Sequence, residues 1–103
     1  MDLNFEYSVD EFDEEIEINL KGALDASHAV GLMDEIHDLE LKAIKRIVFK
    51  AEELTFIGSA GLRVIVYTKQ KAGEKTEVIM QNPNDEITSI IEMSGLEHFI
   101  HIV

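Results

Sequence analysis

A serine hydroxyl is the group in this chain best placed to do chemistry. In Phe56-Ile57-Gly58-Ser59-Ala60-Gly61-Leu62 a strand-like apolar run stops at small residues and a helix-like run begins, so Ser59 falls at a helix start. The first turn of a helix has unpaired N–H groups and a partial positive charge, so a serine there either caps the turn or accepts a phosphate that the turn holds favourably. Gly58 and Gly61 leave the turn bare of side chains, open to another molecule's active site. Local chemistry leaves both readings open, with capping the commoner role for such a serine.

The other reactive groups form no catalytic pattern. His28, His37, His98 and His101 lack metal-ligand spacing, since His98 and His101 stand three apart across a loop and strand rather than on one helix face. Gly73-Glu74-Lys75-Thr76 has the end of a phosphate-binding loop without its preceding glycine, and it sits between a helix and a strand rather than a strand and a helix. Glu14-Glu15 and Glu52-Glu53 read as solvated surface. With no cysteine, disulfides, thiolate metal sites and thiol catalysis are excluded. The expectation is a protein that is not an enzyme and that needs neither a metal nor a cofactor.

Composition narrows the partner. The 103 residues are 46% hydrophobic, enough for one core and one domain over residues 1–103. No apolar run is long enough to span a bilayer and Met1-Asp2-Leu3-Asn4 does not resemble a signal peptide, so the chain is expected in the cytoplasm. The net charge of -12 is uneven: residues 1–40 hold thirteen acids against Lys21 alone, residues 41–75 hold eight bases against three acids, and residues 76–103 hold five acids and no base. Nucleic acid is therefore not the expected partner; the acidic surface serves either solvation or a basic protein partner.

Periodicity supplies the elements that must position Ser59. Leu3, Phe5, Tyr7 and Val9 alternate with polar residues, as do Ile16, Ile18 and Leu20, giving two strands of a hairpin. Val30, Met33, Ile36 and Leu39 follow at helical spacing, with Asp25 or Ser27 as N-cap. Ile47-Val48-Phe49 reads as a short inner strand. Leu62, Ile65, Val66 and Tyr67 mark a second helix that closes at Ala72-Gly73, followed by a strand over Thr76–Met80. Past the turn at Gln81-Asn82-Pro83-Asn84, Ile87, Ile90 and Ile91 mark a third helix closing at Ser94-Gly95, and a last strand runs from Phe99 to Val103. Met33, Met80 and Met93 are expected in the core. The order β-β-α-β-α-β-α-β predicts an α/β fold with a mixed sheet of four or five strands and helices packed on it.

Four stretches together resemble the anti-sigma factor antagonists, bacterial members of the STAS domain family, over nearly the whole chain. They are Gly22-Ala23-Leu24-Asp25, Ile47-Val48-Phe49, Leu54 to Leu62, and Met93 to Ile100. The resemblance implies a STAS-like fold and a role in freeing a sigma factor by binding an anti-sigma factor that is also a serine kinase, with a phosphatase reversing the modification. It places Ser59 at the phosphoacceptor position, Asp25 at an acidic position near the same surface, and Gly61 and Leu62 in the signature's continuation. Gly58, Ala60 and Arg63 complete the expected partner surface, Arg63 standing one turn into the second helix, where it can pair with a partner carboxylate or a phosphate. The chain departs from the family pattern in having Gly58 and Lys50 where aspartates are usual, and both changes are expected to remove negative charge near the site. Two other roles stay open. One is a scaffold subunit of a signalling assembly or lipid-transport ABC system that makes no use of Ser59; the other is a small-ligand or nucleotide sensor beside the Ser59 turn.

Overall fold

A computed structural model describes residues 4–103; Asp2 and Leu3, part of the first predicted alternation, lie outside the described residues. Strands β1 (Phe5–Glu11) and β2 (Glu15–Leu24) form the expected hairpin, followed by α1 (Ala26–Asp38), β3 (Arg46–Ile57), α2 (Ser59–Ala72), β4 (Glu77–Gln81), α3 (Asp85–Ser94), a single 3-10 turn at Leu96–His98, and β5 (His101–Ile102). The sheet order is β1-β2-β3-β4-β5, with β1 antiparallel to β2 and every later pairing parallel. Strands added in sequence order through right-handed connections keep all three helices on one face. One apolar core accordingly joins Ile16, Ile18, Ile47, Phe49, Val78 and Met80 of the strands to Leu32, Ile36, Ile65, Ile87 and Ile91 of the helices.

The opposite face has no helices and is covered by its own long side chains. Register aligns Glu15, Arg46 and Glu77 across β2, β3 and β4, and Arg46 lies 3.7 Å from Glu15 and 3.3 Å from Glu77. Lys50 lies 3.6 Å from Glu17. The stems of these pairs shield Val48 and Ile79, which are buried without belonging to the core.

Several boundaries differ from the sequence reading. The inner strand is not three residues long: β3 runs unbroken to Ile57, and two irregularities against β2 place Asn19–Leu24 opposite Lys50–Ile57. From Ala51 onward burial therefore recurs every third residue, at Ala51, Leu54 and Ile57, instead of every second. Thr76 precedes β4 because its hydroxyl is bonded to the Ile44 and Ala72 carbonyls, which fixes it in the turn. The last strand shrinks to His101–Ile102, since Phe99 and Ile100 donate their N–H groups to the Leu96 carbonyl in a tight turn. Met80 is core and Met33 packs at its edge, but Met93 is 87% exposed on the outer side of α3.

Candidate functional site

The parallel strands β2, β3 and β4 all end at one edge of the sheet, so the N-termini of α1, α2 and α3 gather there. Two of the three are closed by side chains. Asp25 caps α1, its Oδ1 accepting from the His28 backbone N–H at 3.1 Å and from the Ser27 hydroxyl at 2.8 Å. Asn84 caps α3 through the Ile87 N–H at 2.8 Å, while its Nδ2 donates to the Leu54 carbonyl and ties the cap to β3.

The middle helix is left open. Gly58, not Ser59, is the N-cap residue of α2, and having no side chain it supplies no cap. Ser59 is the first helical residue and is exposed, with no hydrogen bond from its hydroxyl among the described residues. The capping role offered for this serine is thus absent, and no side chain among the described residues caps the N–H groups of the first turn of α2. The expected exposure of the hydroxyl holds.

The other expected residues cluster around it. The Gly58 N–H donates to the Leu24 carbonyl at 3.0 Å, which sets the end of β3 against the end of β2 and brings Ser59 beside the Asp25 cap. Ala60 and Arg63 share a cleft of about 220 Å³ with Ala29, Val30 and Asp34 of α1. Leu62 is half-buried and Arg63 exposed. Gly61 is buried and has a packing role: a Cβ there would stand 2.8 Å from Ile57 Cγ1, 2.9 Å from Leu24 Cγ and 3.0 Å from the Leu24 carbonyl oxygen. The last of these is backbone and cannot swing away. Gly61→Ala is expected to destabilise the fold by about 1–2 kcal/mol in urea unfolding, the overpacking outweighing alanine's better helix propensity.

Lys50 corrects an expectation. It lies on the open sheet face, paired with Glu17, seven residues before the end of β3 and so roughly 20 Å up the strand from the Ser59 turn. Only Gly58 alters the charge at the site itself. Phe56, by contrast, went unnoticed as a surface residue: it is 41% exposed, and its ring would be 3.3 Å from a Cβ at Gly58. It lies in the bulged part of β3, where burial falls on Leu54 and Ile57 instead.

Asp25 gives the site a pH dependence. Hydrogen bonds from the Ser27 hydroxyl and then the His28 N–H hold its carboxyl below the ordinary value of 3.8. A carboxyl depressed in the fold contributes stability that is full above the unfolded value and fades as pH falls through the folded one. Asn caps equally well without the charge. The melting-temperature gap between wild type and Asp25→Asn is therefore expected to hold near pH 5 and to narrow as pH drops below about 4. A gap unchanged down to about pH 2 would show that the charge adds nothing.

No helix among the described residues is long and apolar enough to cross a membrane. A family model for the STAS domain matches residues 6–103. No match was found among curated protein sequences. The fold is similar to that of an anti-sigma factor antagonist from Mycobacterium paratuberculosis, at 20% identity and a TM-score of 0.84, covering 96% of this chain and 85% of that one. It is also similar to the Bacillus cell fate determinant SpoIIAA in its phosphorylated form, at 20% identity and a TM-score of 0.75, covering 95% and 91%. The unphosphorylated form of SpoIIAA, an anti-sigma factor antagonist, gives 20% identity and a TM-score of 0.73, covering 95% and 88%. At such identity these likenesses establish the fold.

Proposed function

The chain belongs to the STAS domain family, and from that premise we propose that it is an anti-sigma factor antagonist switched by phosphorylation of Ser59. The reading is carried by one observation: an exposed serine hydroxyl, without a partner among the described residues, opens the one of the three described α-helix N-termini that no described side chain caps. A protein of the same fold, SpoIIAA, is described in phosphorylated and unphosphorylated forms. The partner in this reading is an anti-sigma factor that also acts as a serine kinase, and a phosphatase restores the hydroxyl. Asp25, Gly58, Ala60, Gly61, Leu62 and Arg63 surround Ser59 as the contact surface. The chain performs no catalysis itself and works in the cytoplasm.

Electrostatics supplies the mechanism. Phosphate adds roughly -1.5 to -2 charge to Ser59. At a bare helix N-terminus that charge stabilises the fold by about 0.3–1 kcal/mol, so the modified protein stays folded. The cost falls on the complex, where the phosphate must be desolvated against the partner surface.

The test is recovery of the protein from its native cell, with intact-mass measurement and identification of what co-purifies. The expected result is a population carrying one phosphate at Ser59, with an anti-sigma factor kinase bound to the unmodified form only. A chain never phosphorylated under any growth condition, and held in a stable assembly, would favour the scaffold role instead. Gly58 gives that alternative its one specific support, because it leaves no acidic side chain directly before the serine.

A further inference from the structure

A surface that shares Leu62 and Arg63 with the Ser59 site extends from them along α2. Met33 of α1, Leu62, Val66 and Tyr67 of α2 and Leu96 beyond α3 line a trough of about 430 Å³, with Arg63, Gln70 and Ser94 as its polar lining. A smaller hollow of about 130 Å³ continues it past Val66 and Leu96 to Phe99 and Ile100. Phe99, at that far end, is 62% exposed.

The charge of the trough is opposite to that of the protein. Helix α2 carries Arg63, Lys69 and Lys71 and no acid. The two lysines are committed to the fold: Lys69 Nζ bonds the Thr76 carbonyl at 2.7 Å, and Lys71 Nζ bonds the His37 and Leu39 carbonyls at 2.8 Å each. Arg63 forms no ion pair or side-chain hydrogen bond among the described residues, although the chain holds 21 acids, and it is the one charged residue lining the larger trough. An apolar floor with a single free guanidinium at its rim complements an apolar ridge bearing a carboxylate.

We propose that this trough docks an acidic amphipathic helix of a protein partner, its apolar residues on Leu62, Val66 and Leu96 and one of its carboxylates on Arg63. The dimensions agree. Leu62 to Gln70 along α2 is about 12 Å, or two turns, and a helix docking through positions i, i+4 and i+7 presents anchors over about 10 Å. The chain's net charge of -12 does not forbid an acidic ligand, because at 0.15 M salt charges beyond about 8 Å are largely screened and Arg63 dominates at the rim. The inference rests on the chain being a binding module, and it is independent of whether Ser59 is ever phosphorylated.

The experiment titrates the labelled protein with two synthetic, helix-stabilised peptides that share leucines at i, i+4 and i+7. One carries glutamates on its flanks and the other lysines, and amide shifts are followed by NMR at 0.15 M salt. The expected result is that the glutamate peptide binds more tightly and moves the amides of Met33, Leu62, Val66 and Leu96. Arg63→Gln should weaken it about two- to fivefold, as loss of one rim pair does, and Arg63→Glu should reverse the preference. Arg63 holds nothing in the fold, so both variants should melt with the wild type. Equal binding of the two peptides, preference of the wild type for the lysine peptide, shifts outside the trough, or no binding would each overturn the proposal. Ser59 stays unmodified throughout, so either outcome leaves the phosphorylation reading to the native-mass measurement.

Discussion

Ser59→Asp is expected to weaken binding of the proposed anti-sigma partner roughly a hundredfold, while Ser59→Ala binds as the wild type does; the size follows from a loss of a few kcal/mol at a packed interface. Removing the hydroxyl costs nothing internally, because that oxygen bonds to no described residue and caps no helix. Aspartate adds charge and bulk at the same point and, like phosphate, sits comfortably on the open N-terminus of α2. Both variants should therefore fold normally and differ only in the complex. Calorimetric titration against the partner captured from the native cell measures the difference. Equal affinity for the two variants would remove the switch, and the protein would then be read as a scaffold.

Gly22→Ala is expected to be the most damaging small substitution in the chain. Gly22 has φ +93, a conformation that alanine adopts only under strain, and a Cβ there would stand 2.0 Å from the Asn4 carbonyl oxygen and 3.3 Å from Phe5 Cα. Relief requires β1 to lift from β2 just where the Ala23 N–H donates to the Asn4 carbonyl at 2.9 Å. Backbone strain and lost pairing together should cost about 3–5 kcal/mol, a large part of the 5–15 kcal/mol typical of a domain, and should lower the melting temperature by roughly 15 °C or more. Gly31→Ala is the internal control. Gly31 is exposed on α1, and a Cβ there meets nothing within 4 Å, so the same substitution should stabilise by about 0.5–1 kcal/mol through helix propensity. If the two variants melt within about a degree of each other, the contact at Asn4 carries no such weight.

Periodicity marks the strands of the hairpin and fails along β3. In β1 and β2 the alternation of Phe5, Tyr7 and Val9, and of Ile16, Ile18 and Leu20, matches a regular ladder with one buried face, and the hairpin followed directly. In β3 the extra residues against β2 break the period, so spacing marks only Ile47-Val48-Phe49 and the apolar end at Phe56-Ile57, and Lys50–Thr55 between them joins the strand through pairing. Nothing in the residue types announces the bulge, because its cause is the partner strand's register. Met93 misleads for a different reason: two residues on from Ile91 it stands about 200° round α3, on the side away from the core that Ile87 and Ile91 face, so its apolar type does not bury it.

The sequence by itself determined the element order, the single core, the absence of thiol chemistry, and the small-residue turn that brings one serine to the head of a helix. These are local properties, set by hydrophobic period, turn chemistry and residue identity. Tertiary structure decided what the serine is free to do. The bond from the Gly58 N–H to the Leu24 carbonyl and the close seat of Gly61 on Leu24 fix Gly58 as the N-cap and Ser59 as the first helical residue, uncapped and uncovered. It also moved Lys50 to the far face of the sheet and left Arg63 unpaired among the described residues, at the rim of a largely apolar trough. Such facts arise from which strands lie side by side and in what register, and long-range pairing of that kind leaves no signature in the spacing of residues along one chain.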